Sequence, residues 1–115
     1  QRSRVDSNGR ICNNVCMYHI EIVASATIEL DAIRLFDRNV ILDETEEQLS
    51  HEPTKPSRRR KCIENLTPSF ETVPPFWQLT VGEWRVFYDV NETEKKVWVR
   101  AVRHKQPDKR TEDIV

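Results

Sequence analysis

No apolar run in this 115-residue chain approaches the length needed to span a membrane, and no basic n-region followed by a hydrophobic core and cleavage site suggests secretion. Cysteine is also scarce. Three residues, Cys12, Cys16 and Cys62, form an odd set that supplies no disulfide framework and suits a reducing cytoplasm. Cys12, Cys16 and His19 have a faint look of metal ligands but lack a fourth partner at useful spacing, so neither a metal nor any other cofactor is expected. Without a secretory signal, the sequons at Asn65 and Asn91 read as coincidental. A strong basic stripe is missing too, which argues against a general nucleic-acid glue. The length allows one domain with a modest core, and a charged fraction of 32% fits the large surface of such a domain.

The near-neutral total hides an asymmetry. Positions 17–52 hold nine acidic and two basic residues, whereas 53–115 hold thirteen basic and nine acidic. Residues 1–16 have no periodicity and few apolar groups. Met17 follows and reads as a natural start, so 1–16 are expected to be leader or upstream sequence and 17–115 the working domain.

Tyr18–Val23 alternates like a strand. Beyond it, Ser25 or Thr27 is placed to cap a helix whose apolar stripe takes in Ala26, Leu30, Ile33 and Val40. On one straight helix Asp37 would fall inside that stripe and face the core, at a cost of several kcal/mol if unpaired. A break near Asp37–Asn39 removes the conflict, and Ile41, Thr45 and Leu49 then line a second helix ending before Pro53. Five prolines and the run Arg58-Arg59-Arg60-Lys61 mark 53–75 as an extended, solvated connection, with a short edge strand at 61–66. The tail 106–115 is too polar and short to join a core.

The densest information lies in residues 76–105. Gly82-Glu83 is a two-residue turn with glycine first, as a tight hairpin with φ > 0 at its first corner requires. Trp84, Val86, Tyr88 and Val90 alternate with Arg85, Phe87 and Asp89, giving one apolar and one mixed face. Asn91–Lys96 is a polar turn, and Val97–Val102 is a strand ending in Arg103-His104-Lys105. The order β–α–α–β–β–β predicts a two-layer α+β fold, a helical hairpin on an antiparallel-rich sheet. In it Arg85 and Phe87 share the open face, where Arg85 either meets a phosphate or pairs with Asp89, and Phe87 either stacks on a base or covers the sheet.

Trp77–Val90, followed by Val97–Lys105, resembles the RelE/ParE superfamily of bacterial type II toxins, whose pattern runs Val-Gly-aromatic-Arg-Val-aromatic-Tyr-acidic-Val and closes on a strand ending in basic residues. The resemblance implies a toxin held inactive by a cognate antitoxin. It also implies a ribosome-dependent endoribonuclease that cuts mRNA through the 2′-hydroxyl, with Arg85, His104 and Lys105 as catalytic groups. Arg85, Arg103 and Phe87 would contact RNA. Three positions depart from the pattern: Gln78 and Thr80 stand where the preceding strand carries cations, and 106–115 hold no tyrosine. These departures favour the alternatives, a ParE-like inhibitor of DNA gyrase or a degenerate toxin that only binds its antitoxin. A binding module using the acidic hairpin or a strand edge is a further reading.

Overall fold

The computed structural model describes residues 17–64 and 66–115. Cys12 and Cys16, and the expectation of a leader at 1–16, lie outside them. Strand β1 (His19–Ile22) leads into helices α1 (Ala24–Asp31) and α2 (Leu35–Leu49). Strands β2 (Arg60–Ile63), β3 (Phe76–Val81), β4 (Trp84–Asn91) and β5 (Lys96–His104) follow, then a short helix α3 (Thr111–Ile114). The sheet order is β1-β5-β4-β3-β2, with β1 parallel to β5 and the other pairs antiparallel. The α+β expectation holds, and the short edge strand falls at β2.

The main core lies between the sheet and the helices. Ala26, Leu30, Ile33, Ile41 and Leu49 pack against Trp77, Leu79, Val81, Val86, Tyr88, Val97, Val99 and Val102. Tyr88 is fully buried and its hydroxyl donates to the Pro53 carbonyl at 2.6 Å. Burial pushes that phenol well above its ordinary range.

The helix break sits earlier than expected, between Asp31 and Leu35, and Asp37 is inside the first turn of α2. Two arrangements replace the anticipated break. Asp37 points outward and pairs with Arg34 at 3.0 Å, so no carboxylate is buried there. Arg38 reaches back to donate to the carbonyls of Leu30, Asp31 and Ile33, taking the acceptors that the end of α1 leaves open. Val40 is not part of the core stripe and is 40% exposed. Neither helix has a side-chain N-cap, and the Thr27 hydroxyl donates instead to the Val23 carbonyl.

The Arg58–Lys61 run is not wholly solvated. Arg60 is buried and donates to the Lys55 and Gln48 carbonyls and to Gln48 Oε1, fastening β2 to the end of α2. Arg59 pairs with Glu44 at 2.6 Å.

A bulge on β5 leaves Arg100 as the extra residue opposite Phe87/Tyr88. It shifts the alternation, so Val97, Val99 and Val102 all reach the helix side while Ala101 joins the other face. That second face has its own apolar cluster of Ile63, Phe76, Phe87 and Ala101, covered by Leu66, Phe70, Ile114 and Val115. The tail is therefore part of a core, contrary to its polar composition. No helix of the described residues is long and apolar enough to cross a membrane.

Candidate functional site

The turn that positions the site behaves as its sequence dictates. Gly82 has φ +58°, and the two strands leave it in register, with Thr80 opposite Arg85 and Val81 opposite Trp84. On the other side Arg85 is directly opposite Arg103. Alternation puts both on the second face, with Gln78, Phe87 and Ala101 as the next row. Side chains directly opposite in an antiparallel pair have Cβ atoms about 5 Å apart, and like charges placed there repel.

The two guanidinium groups are compensated unequally. Arg103 Nε lies 3.0 Å from Glu29 Oε2, off the line of a hydrogen bond but within ion-pair distance. Its Nη1 donates to the Ile114 carbonyl at 3.0 Å, and the guanidinium lies 5.5 Å from the Phe70 ring centre. Glu29 also accepts from the Val102 N–H at 2.8 Å, where β5 has run past the end of β1. Arg85 donates only to backbone, to the Gly82 and Trp84 carbonyls at 2.8 and 2.9 Å. Among the described residues no carboxylate pairs with it. Burial lowers its proton affinity somewhat, the expected direction for a cation short of water and counter-charge. An anion between Arg85 and Arg103 would relieve that imbalance.

The other expected site residues do not all gather here. His104 falls on the helix side, its ring 4.8 Å from Trp84, and Nε2 lies 3.0 Å from Glu83 Oε1. It lines a separate groove with Arg34, Phe36 and Asp37, on the face opposite Arg85. Lys105 follows the last strand residue, its backbone N–H donating to the Glu83 carbonyl at 2.7 Å. Phe87 is completely buried among Phe70 and Phe76, with ring centres 5.4 and 6.1 Å away. It covers the sheet and cannot stack on a base in this arrangement.

Asp89 was an alternative partner for Arg85, and it is committed elsewhere. It is 3% exposed and its Oδ2 accepts from Arg100 Nε at 2.7 Å, the Thr72 hydroxyl at 2.7 Å and the Val73 N–H at 3.0 Å. Arg100 was not singled out by the sequence reading. The available signal was an acidic residue inside the apolar run Val86–Val90, which demands a cation on a neighbouring strand. Among the described residues no group of three or more His, Cys, Asp or Glu could hold a metal ion.

No family model matches the chain, and no curated protein is significantly similar to it in sequence. Solved structures are similar. A chain of the RelBE2 toxin–antitoxin complex from Mycobacterium tuberculosis superimposes with TM-score 0.61 at 18% identity, covering 77% of this chain and 99% of that one. The archaeal RelE–RelB complex from Pyrococcus horikoshii gives 0.61 at 18%, covering 79% and 98%. The isolated Escherichia coli RelE toxin gives 0.57 at 15%, covering 80% and 88%.

The fold is that of the RelE toxins. The similarity to these structures takes in about four-fifths of the chain, well beyond the length of residues 76–105. Against the RelE pattern expected of the sequence, Arg85 and Arg103 are side by side on one face. Gln78 and Thr80 occupy the neighbouring strand on that same face.

Proposed function

We propose that this protein is the toxin of a type II toxin–antitoxin pair, neutralised by a cognate antitoxin. We further propose that it acts on mRNA at the ribosome, using the second face of β3–β5. The observation that carries the reading is the cross-strand pair Arg85–Arg103, two guanidinium groups of which only Arg103 has a carboxylate partner, on a RelE fold. Such a pair suits a phosphodiester, because planar guanidinium donors match phosphate oxygens in pairs.

In the reaction, the 2′-hydroxyl oxygen attacks the adjacent phosphorus and the P–O5′ bond breaks. The products are a 2′,3′-cyclic phosphate and a 5′-hydroxyl, and the proton lost at O2′ is balanced by one gained at O5′. Arg85 and Arg103 would stabilise the charge that builds on the non-bridging oxygens. Lys105 is the candidate donor to O5′. His104, held by Glu83 on the helix side, has no part in this scheme.

A second reading has its own support. With Gln78 and Thr80 in place of cations and the face covered by Phe70 and Ile114, the protein would act by binding alone, as a gyrase inhibitor or an antitoxin partner. Expression in a bacterial host separates the two. Arrest of translation, relieved by Arg85→Gln with Arg103→Gln, supports the RNA reading. A DNA-damage response with intact mRNA supports the gyrase reading, and unimpaired growth rules out both toxic activities.

A further inference from the structure

The face carrying Arg85 and Arg103 is roofed by an irregular segment of the same chain. Residues 66–75 cross it between β2 and β3, seating Leu66 and Phe70 on Ile63, Phe76, Phe87 and Ala101. Phe70 packs edge-on to Phe76 with ring centres 5.6 Å apart and lies 5.5 Å from the Arg103 guanidinium. At the other end the segment is polar. Thr72 and Val73 both donate to Asp89 Oδ2, the oxygen that also receives Arg100 Nε. Arg100 in turn lies 5.6 Å from the Trp98 ring centre.

The roof thus depends on two cations. Arg103 sits against Phe70, and Arg100 sets the charge balance at Asp89. Both are cations that a phosphodiester backbone would attract on this face. An anion bound to Arg103 competes with its ring contact, and one bound to Arg100 strips Asp89 of the counter-charge that keeps its buried carboxylate in place.

We propose that residues 66–75 are a lid over the Arg85–Arg103 phosphate site, latched on Asp89, and released when an RNA backbone takes Arg100 and Arg103. This rests on the RNA reading above and adds its regulation. In the closed state the apparent affinity for RNA is the intrinsic affinity reduced by the fraction of molecules that are open. Loosening the latch without touching any cation therefore tightens RNA binding.

Thr72→Val tests this, since it keeps the side-chain shape and removes one donor to Asp89. Binding of a short fluorescent oligoadenylate and exchange of the Val73 amide hydrogen are the two readouts. Loss of one hydrogen bond to a charged group should raise affinity and Val73 exchange together, by about tenfold or more. Thr72→Ser, which keeps the hydroxyl, should match the native protein, and RNA added to the native protein should speed Val73 exchange. Faster exchange in Thr72→Val with unchanged affinity overturns the lid. So does RNA slowing Val73 exchange in the native protein. If Arg85→Gln abolishes binding while Thr72→Val binds like the native protein, the RNA reading stands and the lid alone falls. If neither native protein nor Thr72→Val binds RNA, the lid falls, and the RNA reading falls with it when ribosome-bound message is also left uncut.

Discussion

Replacing Asp89 with asparagine should destabilise the protein by about 2–3 kcal/mol, although the substitution is isosteric and far from both sheet edges. The carboxylate is 3% exposed and receives three donors within 3.0 Å. Truncating one partner of a buried ion pair costs about 3–5 kcal/mol, because the other charge is stranded. Here the stranded side chain, Arg100, keeps 18% of its exposure, so water recovers part of that penalty. Asparagine also retains an oxygen that can accept from Thr72 or Val73. For a domain of this size the loss corresponds to a fall in Tm of about 10–20 °C. Urea denaturation of Asp89→Asn, Arg100→Met and the double variant measures it. The double variant should cost less than the sum of the singles by at least about 1 kcal/mol, the mark of a coupled pair. Additive losses, or a loss below about 1 kcal/mol for Asp89→Asn, would refute the view that this pair fastens the second face.

Other expectations follow from single residues. Tyr88→Phe leaves the Pro53 carbonyl without its donor and should cost about 1–3 kcal/mol by urea denaturation. Because the folded state holds the Tyr88 phenol above its unfolded value, its contribution is complete below pH ~10 and is lost as pH rises beyond it. The native protein should therefore lose up to about 1.4 kcal/mol per pH unit more than Tyr88→Phe in that range, and parallel pH profiles would contradict the burial argument. Gly82→Ala meets no neighbouring atom within 4 Å, so its cost is purely that of φ +58°, about 1–2 kcal/mol by thermal denaturation. A larger loss would mean that the turn region also packs against something.

What was legible in the sequence was what is local. The Gly82-Glu83 turn, the alternation Trp84–Val90 and the Ile41/Thr45/Leu49 face all follow from short-range geometry, and all stand in the structure. The helix break lies ahead of the place the sequence pattern suggests, because Asp37 needs no relief by chain geometry. A turn of the helix and Arg34 supplied it instead, and the carbonyls that fix the true break are satisfied by Arg38, several residues away. Alternation also carried the basic cluster at 103–105 only halfway. It separates Arg103 from His104 onto opposite faces, so three consecutive basic residues do not make one site. The roof over the second face had no periodic signature. Phe70, Thr72 and Ile114 lie in proline-rich or polar stretches, and their burial depends on partners on β4 and β5.

The central claim is that Arg85 and Arg103 hold a phosphodiester for cleavage, and primer extension on mRNA from a purified translation reaction tests it most directly. Native protein should leave discrete cuts in ribosome-bound message, and Arg85→Gln with Arg103→Gln should remove them while the fold persists by circular dichroism. Full-length mRNA in the presence of native protein, or cuts undiminished in the double variant, would contradict it.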